Sequence, residues 1–149
     1  MYFQDFAPGQ MFRTGTRTIT EDEIIAFARE WDRQSFHLDA DAAKGSIYGG
    51  LIASGWQTLL IAFDLVVRAG VWNESSQGSP GMEEVRWRRP VRPGDTLRVE
   101  FEVVETRPSS TRPDRGYVLW DHRVLNQSDE IVASFRSTGI SLKRDASTG

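Results

Sequence analysis

The 149-residue chain contains no cysteine. That absence removes disulfides, thiolate-ligated zinc, iron–sulfur clusters and cysteine nucleophiles in one step, and it fits a reducing compartment. Histidine is nearly as scarce, with His37 and His122 alone. An excess of positive charge is missing as well: 18 Lys and Arg stand against 21 Asp and Glu, a net charge of -3. Such a chain lacks the field by which nucleic-acid binders and membrane-surface proteins attract phosphates. Long hydrophobic runs are absent too, because the most apolar stretch, residues 59–67, is interrupted by Asp64 and is far too short to span a bilayer. The first ten residues have no basic segment followed by an apolar one, so they do not read as a signal peptide. The expectation is a soluble cytoplasmic protein without nucleic-acid or membrane partners.

What is present suits one globular domain. With 39% hydrophobic, 11% aromatic and 26% charged residues, a chain of this length buries roughly 70% of its unfolded surface around a single core. Thr20-Glu-Asp-Glu23 has the pattern of a capping box, and Ile24, Phe27, Ala28 and Trp31 recur at helical spacing, which predicts a helix over 21–31. Asp39 can cap a short helix over 40–44 that Gly45 ends. A third helix opens near Ala53-Ser54-Gly55 and runs to Gly70. Its apolar residues cover nearly the whole circumference, which predicts a helix wrapped on most sides by protein. The period then changes from 3.6 to 2: Val85 and Trp87, Leu97 to Val103, Val118 to Val124, and Ile131 to Phe135 alternate with polar neighbours as half-buried strands do. A further strand is expected within 11–19. Together these elements predict an α+β domain over 1–142, an antiparallel sheet curled around the third helix, with a polar tail over 143–149.

Few residues can carry chemistry. His122 shares the parity of Val118, Trp120 and Val124, which suits a packed structural role. His37 lies in a non-periodic connection five residues after Asp32, and loops are where reactive groups concentrate. The spacing alone leaves open whether Asp32 merely ends the first helix. Gly49, Gly50 and Gly55 bracket the start of the third helix, where they either relieve crowding or let a ligand approach the unpaired N–H groups of the first turn. The stretch 50–55 has the glycine spacing of a phosphate loop but continues as Trp56-Gln57, and Ser54 lacks the glycine two positions earlier that a nucleophile elbow needs. His37, Asp39 and Asp41 are a poor metal cluster, because Asp39 is better explained as a helix cap. Arg86, Arg88, Arg89 and Arg92 form one basic cluster, either a solvated strand edge or a contact for phosphates.

Asp32-Arg-Gln-Ser-Phe-His37, the Leu38-Asp39 that follows, Gly49-Gly-Leu-Ile-Ala-Ser-Gly55 and Arg89-Pro-Val-Arg-Pro-Gly-Asp-Thr-Leu97 resemble, in order, the motifs of the MaoC-like dehydratases, or (R)-specific enoyl-CoA hydratases. The resemblance implies a hot-dog fold in which two subunits join their sheets, as a homodimer or a dimer of dimers. It implies a hydro-lyase acting on an acyl-CoA or acyl-carrier-protein thioester, with Asp32 and His37 as catalytic pair and the Gly55 N–H facing the thioester oxygen. Gln34, Phe36, Gly50, Ser54, Trp56, Arg86, Arg88 and Arg89 are expected to bind substrate. No metal or redox cofactor is implied. Gln34, Ser35 and Phe36 stand where the family carries Asn, Pro and an aliphatic residue. A hot-dog thioesterase and a non-catalytic thioester-binding subunit of a heterodimer are the competing readings.

Overall fold

The structure, a computed structural model, describes residues 1–145. Helix α1 (Glu21–Trp31) begins where the sequence predicts, with Thr20 Oγ1 accepting the Glu23 N–H at 3.2 Å and three acidic residues in the first turn. This is half of a capping box, since the Glu23 carboxylate turns to Arg17 instead. Its buried face is Ile24 and Ala28. A turn of helix, α2 (Ser35–Leu38), occupies the connection expected to be irregular. Four residues are too few to show a period, so the sequence gives no sign of it. Helix α3 (Ala40–Lys44) follows, its N-cap Asp39 accepting from the N–H groups of Asp41 and Ala42. Helix α4 (Gly55–Arg68) starts within the expected stretch 53–55 and stops before Gly70, whose φ of 82° is left-handed.

Six strands form one antiparallel sheet: β1 (Met11–Arg13), β2 (Arg17–Thr18), β3 (Gly81–Trp87), β4 (Thr96–Pro108), β5 (Arg115–Leu125) and β6 (Ile131–Leu142). The order is β1-β4-β5-β6-β3, with β2 paired to β4 beyond β1. The single strand expected within 11–19 is thus two short ones. One face of the sheet closes on α4: Leu97, Val99, Phe101 and Val103 of β4 and Val118, Trp120 and Val124 of β5 are all within 1% of full burial. Ile61, Ala62, Leu65 and Val66 of α4 meet them in one core. The strand β3 is a free edge, and its pairing with β6 is broken between Glu83 and Arg86, where Glu84 takes a φ of 53°.

Two expectations need correction. Helix α4 is not wrapped on most sides: Trp56, Leu60, Phe63 and Val67 are 63, 57, 56 and 38% exposed. Their spacing of four, three and four residues makes a continuous apolar stripe along one face. The polar tail is not free from its first residue either, because the Lys143 N–H donates to the Asp114 carbonyl and Arg144 pairs with Asp5 at 2.8 Å. Residues 146–149 lie outside the described ones. No described helix is long and apolar enough to cross a membrane.

Candidate active site

Helix α1 ends on Asp32, whose N–H still donates to the Ala28 carbonyl while its own φ and ψ leave the helix. The turn α2 then carries His37 back beneath it. An extended segment, 51–54, runs past both and is clamped on two sides: the Ile52 N–H donates to the Phe36 carbonyl and the Ala53 N–H to the Val91 carbonyl. The five-residue separation of Asp32 and His37 therefore closes into contact, with His37 Nε2 at 3.3 Å from Asp32 Oδ2.

His37 is 4% exposed, and its Nδ1 lies 2.7 Å from the Ile52 carbonyl oxygen. A carbonyl only accepts, so Nδ1 carries the proton and Nε2 is left to face Asp32. Phe36 presses edge-on against the imidazole, ring centres 4.5 Å apart, and fixes its plane. The Asp32 carboxylate accepts from Gln34 Nε2 on Oδ1 and from Ser54 Oγ on Oδ2, each at 2.8 Å. Burial pushes this carboxyl up, but the Gln34 and Ser54 hydrogen bonds and the adjacent His37 outweigh it and hold it below the ordinary carboxylate range. A distance of 3.3 Å is long for a charge-assisted bond. The pair thus presents Nε2 and Oδ2 side by side, an arrangement in which one water can donate to both.

Both groups open into a cleft of about 470 Å³ that Phe36, Gly55, Trp56 and Trp87 help to line. Gly55 is the first residue of α4, and a Cβ there would fall onto the Trp87 indole. Trp56 meets Trp87 edge to face at 5.8 Å. Helix α4 has no side-chain cap, so the N–H groups of its first turn face the cleft end without one. A developing negative charge on an oxygen is favoured at such a helix end.

Of the residues expected to bind substrate, Gln34, Phe36, Trp56, Arg88 and Arg89 line this cleft. Gly50 does not; it lies beneath the Arg92 guanidinium, which donates to the Tyr48 carbonyl at 2.6 Å. Arg92 is therefore occupied in holding the 48–50 loop. Ser54 is fully buried, and its hydroxyl faces Asp32 rather than the cleft space. Arg86 sits with Arg88 over the outer face of the sheet. Arg89 pairs with Glu130 at 2.8 Å, and Arg88 donates to Ser134. Trp31 is 70% exposed and outside the cleft. Sequence reasoning missed the Ile52 carbonyl, a backbone group that no residue type announces. It also missed the contact of Trp87 with Gly55, for which the only signal was an aromatic at an inward strand position.

An antiparallel sheet curled around one helix, with an acid and a histidine meeting at that helix's uncapped start, is the layout of a hot-dog protein with a polar site at the helix end. The chain belongs to the MaoC-like domain family, whose match covers residues 4–117. It is 34% identical over 108 residues to the uncharacterized protein YdeM of Bacillus subtilis, covering 72% of this chain and 77% of that one. The MaoC-like dehydratase of Rhodospirillum rubrum superposes with a TM-score of 0.92 at 38% identity, over 97% of this chain and 99% of that one. The (R)-hydratase PhaJ1 of Pseudomonas aeruginosa superposes with a TM-score of 0.73 at 27% identity, over 96% and 86%. With two longer curated relatives the match spans only 30% and 25% of their length.

Proposed function

We propose that the protein is a hydro-lyase that reversibly hydrates an enoyl thioester, carried by CoA or by a carrier protein, to a 3-hydroxyacyl thioester. The observation that carries this reading is the convergence of His37 Nε2 and Asp32 Oδ2 beside the uncapped start of α4. Hydration needs a base for water, a proton for the α-carbon and a partner for the enolate oxygen. A water held between His37 and Asp32 gives its hydroxyl to the β-carbon. The proton it loses passes through the pair and is matched by one delivered to the α-carbon, so that H and OH add across the double bond. The Gly55 N–H faces the thioester oxygen, on which charge builds meanwhile. No electrons are exchanged with the protein.

Phe36 and Trp56 flank this centre and bound the acyl group. Arg88 and Arg89 line the cleft and Arg86 lies beyond them, and this basic cluster supports a contact with the phosphates of the carrier. The apolar stripe of α4 and the free edge of β3 support a homodimer, and the absence of a membrane-spanning helix among the described residues accords with a cytoplasmic enzyme. A thioesterase would use the same helix end, and the presence of both Asp32 and His37 at the hydratase spacing favours hydration over it.

The test is loss of the conjugated-thioester absorbance with a panel of enoyl-CoA esters. Turnover should fall about 100- to 10,000-fold in Asp32→Asn and in His37→Ala while both proteins stay folded. Near-normal rates in both variants overturn the assignment, and release of free thiol by the wild type moves it to the thioesterase.

A further inference from the structure

Ser54 occupies the N-cap of α4, the position where a serine ordinarily accepts a hydrogen bond from the second or third residue of its own helix. Here it makes no such bond. Its hydroxyl is a donor instead, to Asp32 Oδ2 at 2.8 Å, and the residue is fully buried. That oxygen is also the one that faces His37 Nε2. The alternatives for Ser54 are closed: it is sealed from the cleft, so it touches no substrate, and it leaves its helix without a cap, so it is not there for helix stability.

We propose that Ser54 is a positioning residue of the Asp32–His37 pair, and that by turning its hydroxyl from its own helix to Asp32 it both orients the acid and keeps the start of α4 open for the substrate oxygen. The inference deepens the hydratase reading and rests on it for the second of these roles. Two neutral donors, Gln34 and Ser54, approach Asp32 from α2's entry and from α4, and the His37 imidazole lies against the same carboxylate, Nε2 at 3.3 Å from Oδ2. Arg33, next in sequence, is directed back to the Arg29 carbonyl. With Ser54 in place, one carboxylate oxygen is fixed against the imidazole and the other against Gln34, which leaves the carboxyl no freedom to rotate. Without its hydroxyl the carboxylate loses a donor that favours its ionised form.

The experiment compares wild type, Ser54→Ala and Ser54→Gly. Glycine is well tolerated at an N-cap, so the second variant separates loss of the hydroxyl from loss of the helix. Two quantities are read: the pH profile of kcat for enoyl-CoA hydration, and the titration of the Asp32 carboxyl carbon followed directly by NMR. We expect kcat to fall about ten- to a hundredfold with KM changed less than about threefold. The acidic limb of the profile and the Asp32 titration should both move to higher pH in both variants. An Asp32 titration unchanged in both variants overturns the proposal, as does a loss of thermal stability with the acidic limb unmoved. If the wild type hydrates no enoyl thioester, the hydratase reading fails, and the carboxyl titration still decides the role of Ser54.

Discussion

At the scale of single residues the two histidines have opposite lives. His37 is buried but turned to a cleft; His122 is buried among rings. The imidazole of His122 is stacked on Phe135 at 4.4 Å and on Phe101 at 6.1 Å, with Trp72 edge-on. Its Nε2 pairs with Ser137, and Nδ1 has no hydrogen-bond partner among the described residues. Burial pushes its pKa down to about 4, against a smaller opposite pull from Asp121, the charged neighbour beside it. The unfolded chain, titrating near 6.5, therefore binds a proton that the folded one refuses between about pH 6.5 and 4. Stability from this group is whole above that window and drains as the pH falls through it, to a limit of about 3 kcal/mol. Thermal unfolding of the wild type should lose midpoint steeply between pH 6.5 and 4.5. His122→Gln, which does not titrate there, should show a flatter slope; parallel slopes would mean that other groups govern the acid limit.

Among the elements, legibility followed from how local each cause is. Helix α1 was placed to the residue because Thr20 and the apolar period lie within it. The start of α4 is legible only to within Ala53-Ser54-Gly55, because what excludes Ala53 and Ser54 from the helix is their bonding to Val91 and Asp32, distant in sequence. The same distance explains the site: the spacing of Asp32 and His37 was readable, whereas the Ile52 carbonyl and the direction of the Ser54 hydroxyl were not. The exposed stripe of α4 escaped for a different reason, since an apolar circumference does not say what covers it. Where α4 meets β3, Gly55 lies under the Trp87 ring with no room for a Cβ. Gly55→Ala should cost about 1–3 kcal/mol by overpacking in addition to any loss of activity. In a Trp87→Ala background the same substitution should cost much less, which denaturant unfolding of the four proteins measures. Equal costs in both backgrounds would show that the glycine is needed for something other than the indole.

For the whole molecule, the open side matters most. Trp56, Leu60, Phe63 and Val67 on α4, and Met82 and Trp87 on β3, all stand between 38 and 63% exposed. Large side chains of this kind gain about 1.5–3 kcal/mol each on full burial, so a second copy laid along the stripe removes a considerable penalty. Sedimentation should show a dimer at micromolar concentration, and Leu60→Arg should convert it to a monomer with most hydration activity lost. A monomeric wild type, or an arginine variant that stays dimeric, would assign the stripe elsewhere. The left-handed Glu84 bears on how such association ends. It splits the β3 edge into two short stretches, neither long enough to act as the flat template on which strands add without limit. Crowded chains are thereby steered into closed assemblies rather than into fibrils, and the irregularity in the strand serves as a brake on precipitation.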